Sequence, residues 1–237
     1  MKFTINPEIF ELFPHLRVGV VIGRGLKNGK RPEGLDKIIA ENVKSLQEKV
    51  TGAGKALMDF PAISQWRETY RQFGVSPKKY KPTAEALLKR LLKDNPCPNI
   101  STAVDAYLAV EPLFMLPVGG YDLDTIEGDI VLRRSKGDEE FTPLGGGDPQ
   151  LTSEGEVIYS DDKRVLTRNW NYRDSDSTKI TEESTAILLA CEAAMPDIPT
   201  QDISGTIETI ADYEKKFCGG DYKTWFLDKN NPSVTID

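Results

Sequence analysis

Leu116-Pro-Val-Gly-Gly-Tyr-Asp-Leu-Asp-Thr-Ile-Glu-Gly-Asp-Ile-Val-Leu-Arg-Arg134 marks a change of pattern in this 237-residue chain. Before it, apolar residues recur every three to four positions. From Leu113 onward they come in short runs divided by Gly, Pro, Asn and Asp, the pattern of strands and tight turns. Helices first and strands second predict an α+β fold rather than an alternating α/β one. The length suits one domain over 1–237, with a helical half (1–95), a strand-rich part (96–195) and a C-terminal helix and tail (196–237).

Upstream, Leu16 to Gly23 is β-branched and nearly continuous, which predicts a buried strand. The loop after it carries Arg24, Lys27, Lys30 and Arg31. Its Gly23-x-Gly25 lacks the third glycine of a dinucleotide fingerprint, since Asn28 stands there, so the four cations are candidates for phosphate contact instead. Leu35, Ile38, Ile39, Val43, Leu46 and Val50 predict a helix over 35–51 ended by Gly52. A second helix runs from Pro61 to Phe73 and carries Arg67 and Arg71 one turn apart, two more candidate RNA contacts. Thr83 is a good N-cap for a third, Ala84 to Lys93, before the breaker Asp94-Asn-Pro-Cys-Pro-Asn99. Downstream, Phe114 to Val118, Ile130 to Arg134, Glu156 to Tyr159 and Arg164 to Arg168 read as strands, and Ser204 to Phe217 as a last helix. Ile187 to Glu192 fits a strand or a helix by periodicity.

Composition excludes several chemistries. Cys97, Cys191 and Cys218 are far apart and His15 is the only histidine, so a Cys/His zinc site, a Ser-His-Asp triad and a Cys-His pair lack their parts. No metal and no cofactor is expected. No apolar run approaches the ~20 residues of a membrane span, and no signal-peptide core follows Met1, so a cytoplasmic location away from membranes is expected. The net charge of −7 is unevenly spread: residues 1–95 hold 18 Lys and Arg against 10 Asp and Glu, and residues 96–237 hold 12 against 27. A polyanion can therefore meet the basic half while the acidic half faces elsewhere.

Three polar, glycine-bearing stretches carry a resemblance: Leu116 to Arg134, Phe141-Thr-Pro-Leu-Gly-Gly-Gly-Asp148, and Asn169-Trp-Asn-Tyr-Arg-Asp-Ser-Asp-Ser-Thr-Lys-Ile-Thr-Glu-Glu183. Over roughly Leu12 to Glu192 their order and spacing resemble the B3/B4 domain of the phenylalanyl-tRNA synthetase beta subunit, in freestanding form. The resemblance implies helices packed on a predominantly antiparallel, β-sandwich-like layer of unusual topology, and makes Ile187 to Glu192 a strand. It also implies tRNA or aminoacyl-tRNA as partner and hydrolysis of mischarged aminoacyl-tRNA in trans, the alternative being a binding module that kept the fold without the chemistry.

An activated ester needs a held water, oxyanion donors and an anchor for the ammonium group. On the resemblance, Gly119, Gly120, Gly145 and Gly146 supply backbone donors, Asn169 and Asn171 hydrogen bonds, Asp174 or Asp176 the negative charge, and Lys179 a positive charge near the oxyanion. Tyr121, Trp170 and Thr178 complete the substrate pocket. The chain departs from the family at three of these places, one being Asn169-Trp-Asn-Tyr-Arg173 in place of a glycine-rich loop. Gly119-Gly-Tyr-Asp122 stands where the family has His-Ala-Phe-Asp, and Thr178-Lys-Ile-Thr181 stands where it has Ser-Glu-Val-Thr. An imidazole is lost and a carboxylate is replaced by a cation, so a different substrate choice is expected.

Overall fold

The structure, a computed structural model, describes residues 1–236. Its elements in chain order are β1 (Lys2–Ile5), α1 (Pro7–Leu12), β2 (Arg17–Arg24), α2 (Glu33–Ala53), α3 (Pro61–Gln72), α4 (Thr83–Leu91), α5 (Thr102–Leu108), α6 (Glu111–Phe114), β3 (Val118–Asp122), β4 (Ile130–Arg134), β5 (Glu140–Phe141), β6 (Gln150–Leu151), β7 (Val157–Ser160), β8 (Val165–Arg168), β9 (Arg173–Asp174), β10 (Ala186–Ala193), α7 (Thr200–Cys218), β11 (Asp221–Leu227) and β12 (Ser233–Thr235). The fold is α+β.

Two sheets face each other. One has six strands in the order β12-β1-β4-β7-β8-β9, the other four in the order β11-β2-β10-β3. Pairing is antiparallel except between β1 and β4. The period-2 alternation of strand side chains sorts the core. Leu188 and Ala190 of β10 join Val18 and Val20 of β2 on the face toward the six-stranded sheet, where they meet Phe3, Ile130, Leu132 and Leu166. Ile187, Leu189 and Cys191 point the opposite way, to Ile203, Ile207 and Ile210 of α7 and Val104 of α5. This strand is buried on both faces, which explains its near-continuous apolar run. Gly19 of β2 lets α7 approach closely, since a Cβ there would stand 2.6 Å from Ile207 Cγ2. A third core lies among α2 to α6, with Leu35, Leu46, Ile63, Leu88 and Leu91.

Several boundaries differ from the sequence reading. Phe114 to Val118 is not a strand: α6 ends at Phe114, Met115 turns left-handed at φ 61°, and β3 begins only at Val118. That apolar run is buried between helices and sheet, so burial without alternation gave no cue to its conformation. The helix expected over 35–51 is α2, which runs past Gly52 to Ala53 with Gly54 in the left-handed cap. Thr83 is the first helical residue rather than the cap; Pro82 takes the extended cap position, and the Thr83 amide donates to Asn171 O at 3.0 Å. No helix among the described residues is long and apolar enough to cross a membrane.

Candidate functional site

Strand register assembles the site between the two sheets. In the six-stranded sheet Tyr159, Thr167 and Asp174 are cross-strand neighbours on β7, β8 and β9. In the four-stranded sheet Gly119 stands opposite Ala190, and Tyr121 and Glu192, each two residues along, share that face. The two rows enclose a small cavity of about 20 Å³, which has room for one water molecule. Asn169 and Trp170 close its end with two consecutive left-handed residues, φ 46° and 68°. That geometry is costly for a β-unbranched aromatic and is held by its surroundings. The Trp170 indole is fully buried against Phe13, Trp66 and Phe73, with ring centroids 5.0, 5.2 and 6.2 Å away.

Two carboxylates face this cavity. Glu192 accepts from the Tyr159 hydroxyl and from Asn171 Nδ2 at 3.3 Å, and Tyr70 fixes Asn171 by donating to its Oδ1 at 2.8 Å. Burial pushes the Glu192 carboxyl up to about 7, against the pull of those hydrogen bonds and with a further push from Asp174. Asp174 accepts from Thr167 Oγ1 at 2.7 Å. Because Thr167 has one proton and gives it to Asp174, its 2.6 Å contact with Tyr121 must be donated by the tyrosine. Burial raises Asp174 to about 6, while Thr167 and Arg173 pull it down. Two polar atoms of lining residues, Trp170 Nε1 and Thr83 Oγ1, are buried without a hydrogen-bond partner among the described residues. Orphaned buried groups beside a water-sized space are what a bound water or ligand atom satisfies.

Of the residues singled out from sequence, the structure brings Gly119, Tyr121, Trp170, Asn171 and Asp174 to the cavity. Asn169 is buried beside it, its amide donating to Glu156 Oε1 at 3.2 Å. Gly120 faces the other way, where a Cβ would collide with Leu189 and the Leu188 carbonyl. Asp176, Lys179 and Gly145 form a separate surface cluster: Asp176 Oδ1 accepts from Lys179 Nζ at 2.7 Å and from the Gly145 amide at 3.0 Å. The lysine and then that amide hold the Asp176 carboxyl below its ordinary value. Gly146 closes a turn onto Pro143 O, and Thr178 is buried with its hydroxyl unpartnered.

The six candidate RNA contacts fall in two places. Arg24 ends β2 and Lys27 and Lys30 lie on the loop after it, all three exposed, whereas Arg31 is enclosed by Asp36 at 2.9 Å, Asp105 at 3.7 Å and Pro98 O at 2.8 Å. Arg67 is bound by the buried Glu85 at 3.0 Å, and Arg71 pairs with Glu68 at 2.9 Å on the surface. Sequence reasoning missed Glu192, Tyr159, Thr167 and Tyr70. One signal was present: a lone acid inside Ala186-Ile-Leu-Leu-Ala-Cys-Glu-Ala193 is an unusual occupant of a buried strand. Among the described residues no cluster of three or more metal-ligating side chains occurs.

A family model described as "B3/4 domain" matches residues 65–214. The phenylalanine–tRNA ligase beta subunit of Aliivibrio fischeri is 29% identical over 99 residues, which is 40% of this chain and 12% of that protein. A crystal structure of an N-terminal fragment of the phenylalanyl-tRNA synthetase beta-subunit from Pyrococcus horikoshii is similar over 93% of this chain and 49% of its own, with a TM-score of 0.47 at 12% identity. The chain thus spans only a minor part of the curated relative and about half of the solved one.

Proposed function

Since the chain belongs to the B3/4 domain family, we propose that the cavity between its sheets hydrolyses the ester of a mischarged aminoacyl-tRNA, acting in trans. The observation that carries this reading is the meeting of two carboxylates with raised pKa values and two orphaned polar atoms around a water-sized space. In this reading Glu192, the deeper acid, takes a proton from the attacking water. Its value of about 7 leaves a large ionised fraction at neutral pH and keeps it basic enough to act. Asp174, half-buried beside Gly119, receives the substrate ammonium at the mouth, where the missing side chain leaves room. The Trp170 N–H, which leans on Glu192 and helps to hold that carboxyl down, is with Thr83 Oγ1 a donor for water or oxyanion. Asp176 and Lys179, paired with each other in a surface cluster outside the cavity lining, act in this reading on the approach of the substrate rather than on the reacting atoms.

One observation favours the second reading, a binding module without chemistry. A space of about 20 Å³ admits an amino-acid side chain only if its walls move. A deacylation screen against correctly and incorrectly charged tRNAs separates the two. Hydrolysis of at least one mischarged tRNA, reduced by Glu192→Gln and by Asp174→Asn, is the expected result. No rate above that in buffer for any of them leaves the binding module.

A further inference from the structure

We propose that the segment between α3 and α4, Ser76-Pro-Lys-Lys-Tyr-Lys-Pro82, is a phosphate-binding strap that guides the single-stranded 3′ end of an RNA into the cavity. The proposal rests on the reading of the cavity as a site for that end. Lys78, Lys79 and Lys81 are exposed, and no acidic side chain among the described residues lies within ion-pair distance of them. The neighbouring cations are different: Arg67 and Lys89 are both taken by Glu85, and Arg71 by Glu68.

The lysines are carried on an ordered piece of backbone. The amides of Lys79 and Tyr80 both donate to Ser76 O, at 3.1 and 2.9 Å, and Pro77 and Pro82 are buried at either end. Tyr80 packs edge-on against Tyr172 with centroids 5.0 Å apart, which fixes the strap to the loop carrying Trp170 and Asn171. A cleft of about 380 Å³ bordered by Arg67, Arg71, Val75 and Lys78 lies at its start. Its other end is the cavity itself: Thr83 lines the cavity and donates its amide to Asn171 O. Lys81 is two residues from Thr83, so its Cα is within about 7 Å of that lining residue. Cations interleaved with aromatics beside a pocket suit an unpaired strand, whose phosphates and bases are both within reach. The loop with Lys27 and Lys30 is tied elsewhere, Asn28 Nδ2 donating to Thr181 O at 2.6 Å.

The test measures binding of uncharged tRNA across a salt series for the full chain, for Lys78→Ala/Lys79→Ala/Lys81→Ala, and for Lys27→Ala/Lys30→Ala. Loss of three single-strand phosphate contacts is expected to lower the slope of log K against log salt by about 2, so the triple variant loses roughly 16-fold less affinity between 50 and 200 mM salt than the parent. Any change of slope in the double variant, whose lysines are candidate contacts on a loop tied elsewhere, should be the same for RNA with and without its single-stranded 3′ nucleotides. The same tRNA stripped of its single-stranded 3′ nucleotides should bind parent and triple variant with equal slopes. An unchanged slope in the triple variant overturns the strap, as does a difference that persists with the stripped RNA, or equal loss of binding to anionic phosphatidylserine vesicles. Hydrolysis of an aminoacyl ester of adenosine, which has no phosphate, should be equal in parent and triple variant. Absence of that hydrolysis in the parent, with the slope change intact, sinks the catalytic reading and leaves the strap standing.

Discussion

Glu192→Gln isolates the most consequential charge in the cavity. In the unfolded chain this carboxyl ionises near its ordinary 4.5, and in the fold near 7. Between those values folding takes up a proton, so stability falls as pH rises, and the loss is complete above pH 7. A difference of about 2.5 in pKa corresponds to about 3 kcal/mol, or roughly 6–12 °C in Tm for a chain of this size. Glutamine fits the same space: its oxygen can accept from Asn171 Nδ2 while its NH2 donates to the Tyr159 hydroxyl, which can turn to accept. At pH 5 the two proteins should therefore have similar stability. At pH 8.5 the variant should be the more stable by up to ~3 kcal/mol while losing hydrolysis. Urea unfolding of both at the two pH values reads this directly, and buried acids that do not interact with Glu192 cancel in the comparison. A stability difference that does not change with pH would refute the assignment of a raised carboxyl to this position.

Other perturbations bear on the packing around the site. Gly19→Ala puts a methyl 2.6 Å from Ile207 Cγ2 and should cost ~1–3 kcal/mol in denaturant unfolding by pushing α7 off β2. Arg168→Ala removes a buried two-pronged pair with Glu156, at 2.8 and 2.7 Å, and strands the acid; a loss of ~3–5 kcal/mol is expected by the same assay. Gly119→Ala is sterically admissible, the nearest atom to its Cβ being Asp174 Oδ2 at 3.9 Å. It should change stability by less than about 1 kcal/mol, yet slow deacylation by narrowing the mouth.

What the sequence disclosed follows from which side chains alternate and which do not. The helix over Glu33–Ala53 and the strand Ile130–Arg134 announce themselves because each buries one clear face. The strands Lys2–Ile5, Asp221–Leu227 and Ser233–Thr235 escaped the reading. The last two are edge strands with half-exposed side chains, and the first has only four residues. At the site, Gly119, Trp170, Asn171 and Asp174 were reached through the resemblance carried by the glycine- and asparagine-bearing stretches; Gly119 and Asp174 themselves lie in strands and not in turns. Tyr159, Thr167 and Glu192 were not reached, since the register of β7 with β8 and the packing of β10 from the opposite sheet bring them together, and nothing local encodes either.

The position of β2 in the centre of the four-stranded sheet has a consequence for how the chain is made. Its two partners are residues 186–193 and 221–227, so this valine-rich strand is synthesised with both of its edges open. About 160 residues separate Arg24 from Ala186; at ordinary elongation rates the wait is roughly 8–30 s. Throughout that interval Arg17–Arg24 is an exposed β template of the kind that pairs with other chains. The helical cluster of α2 to α6 depends far less on late residues, because its buried members all lie before residue 116 and Tyr213 and Phe217 of α7 only pack against its edge. Nascent chains halted before residue 186 should accordingly be protease-resistant in their helices and aggregation-prone through β2, and release past Leu227 should end both the exposure and the need for a holding chaperone.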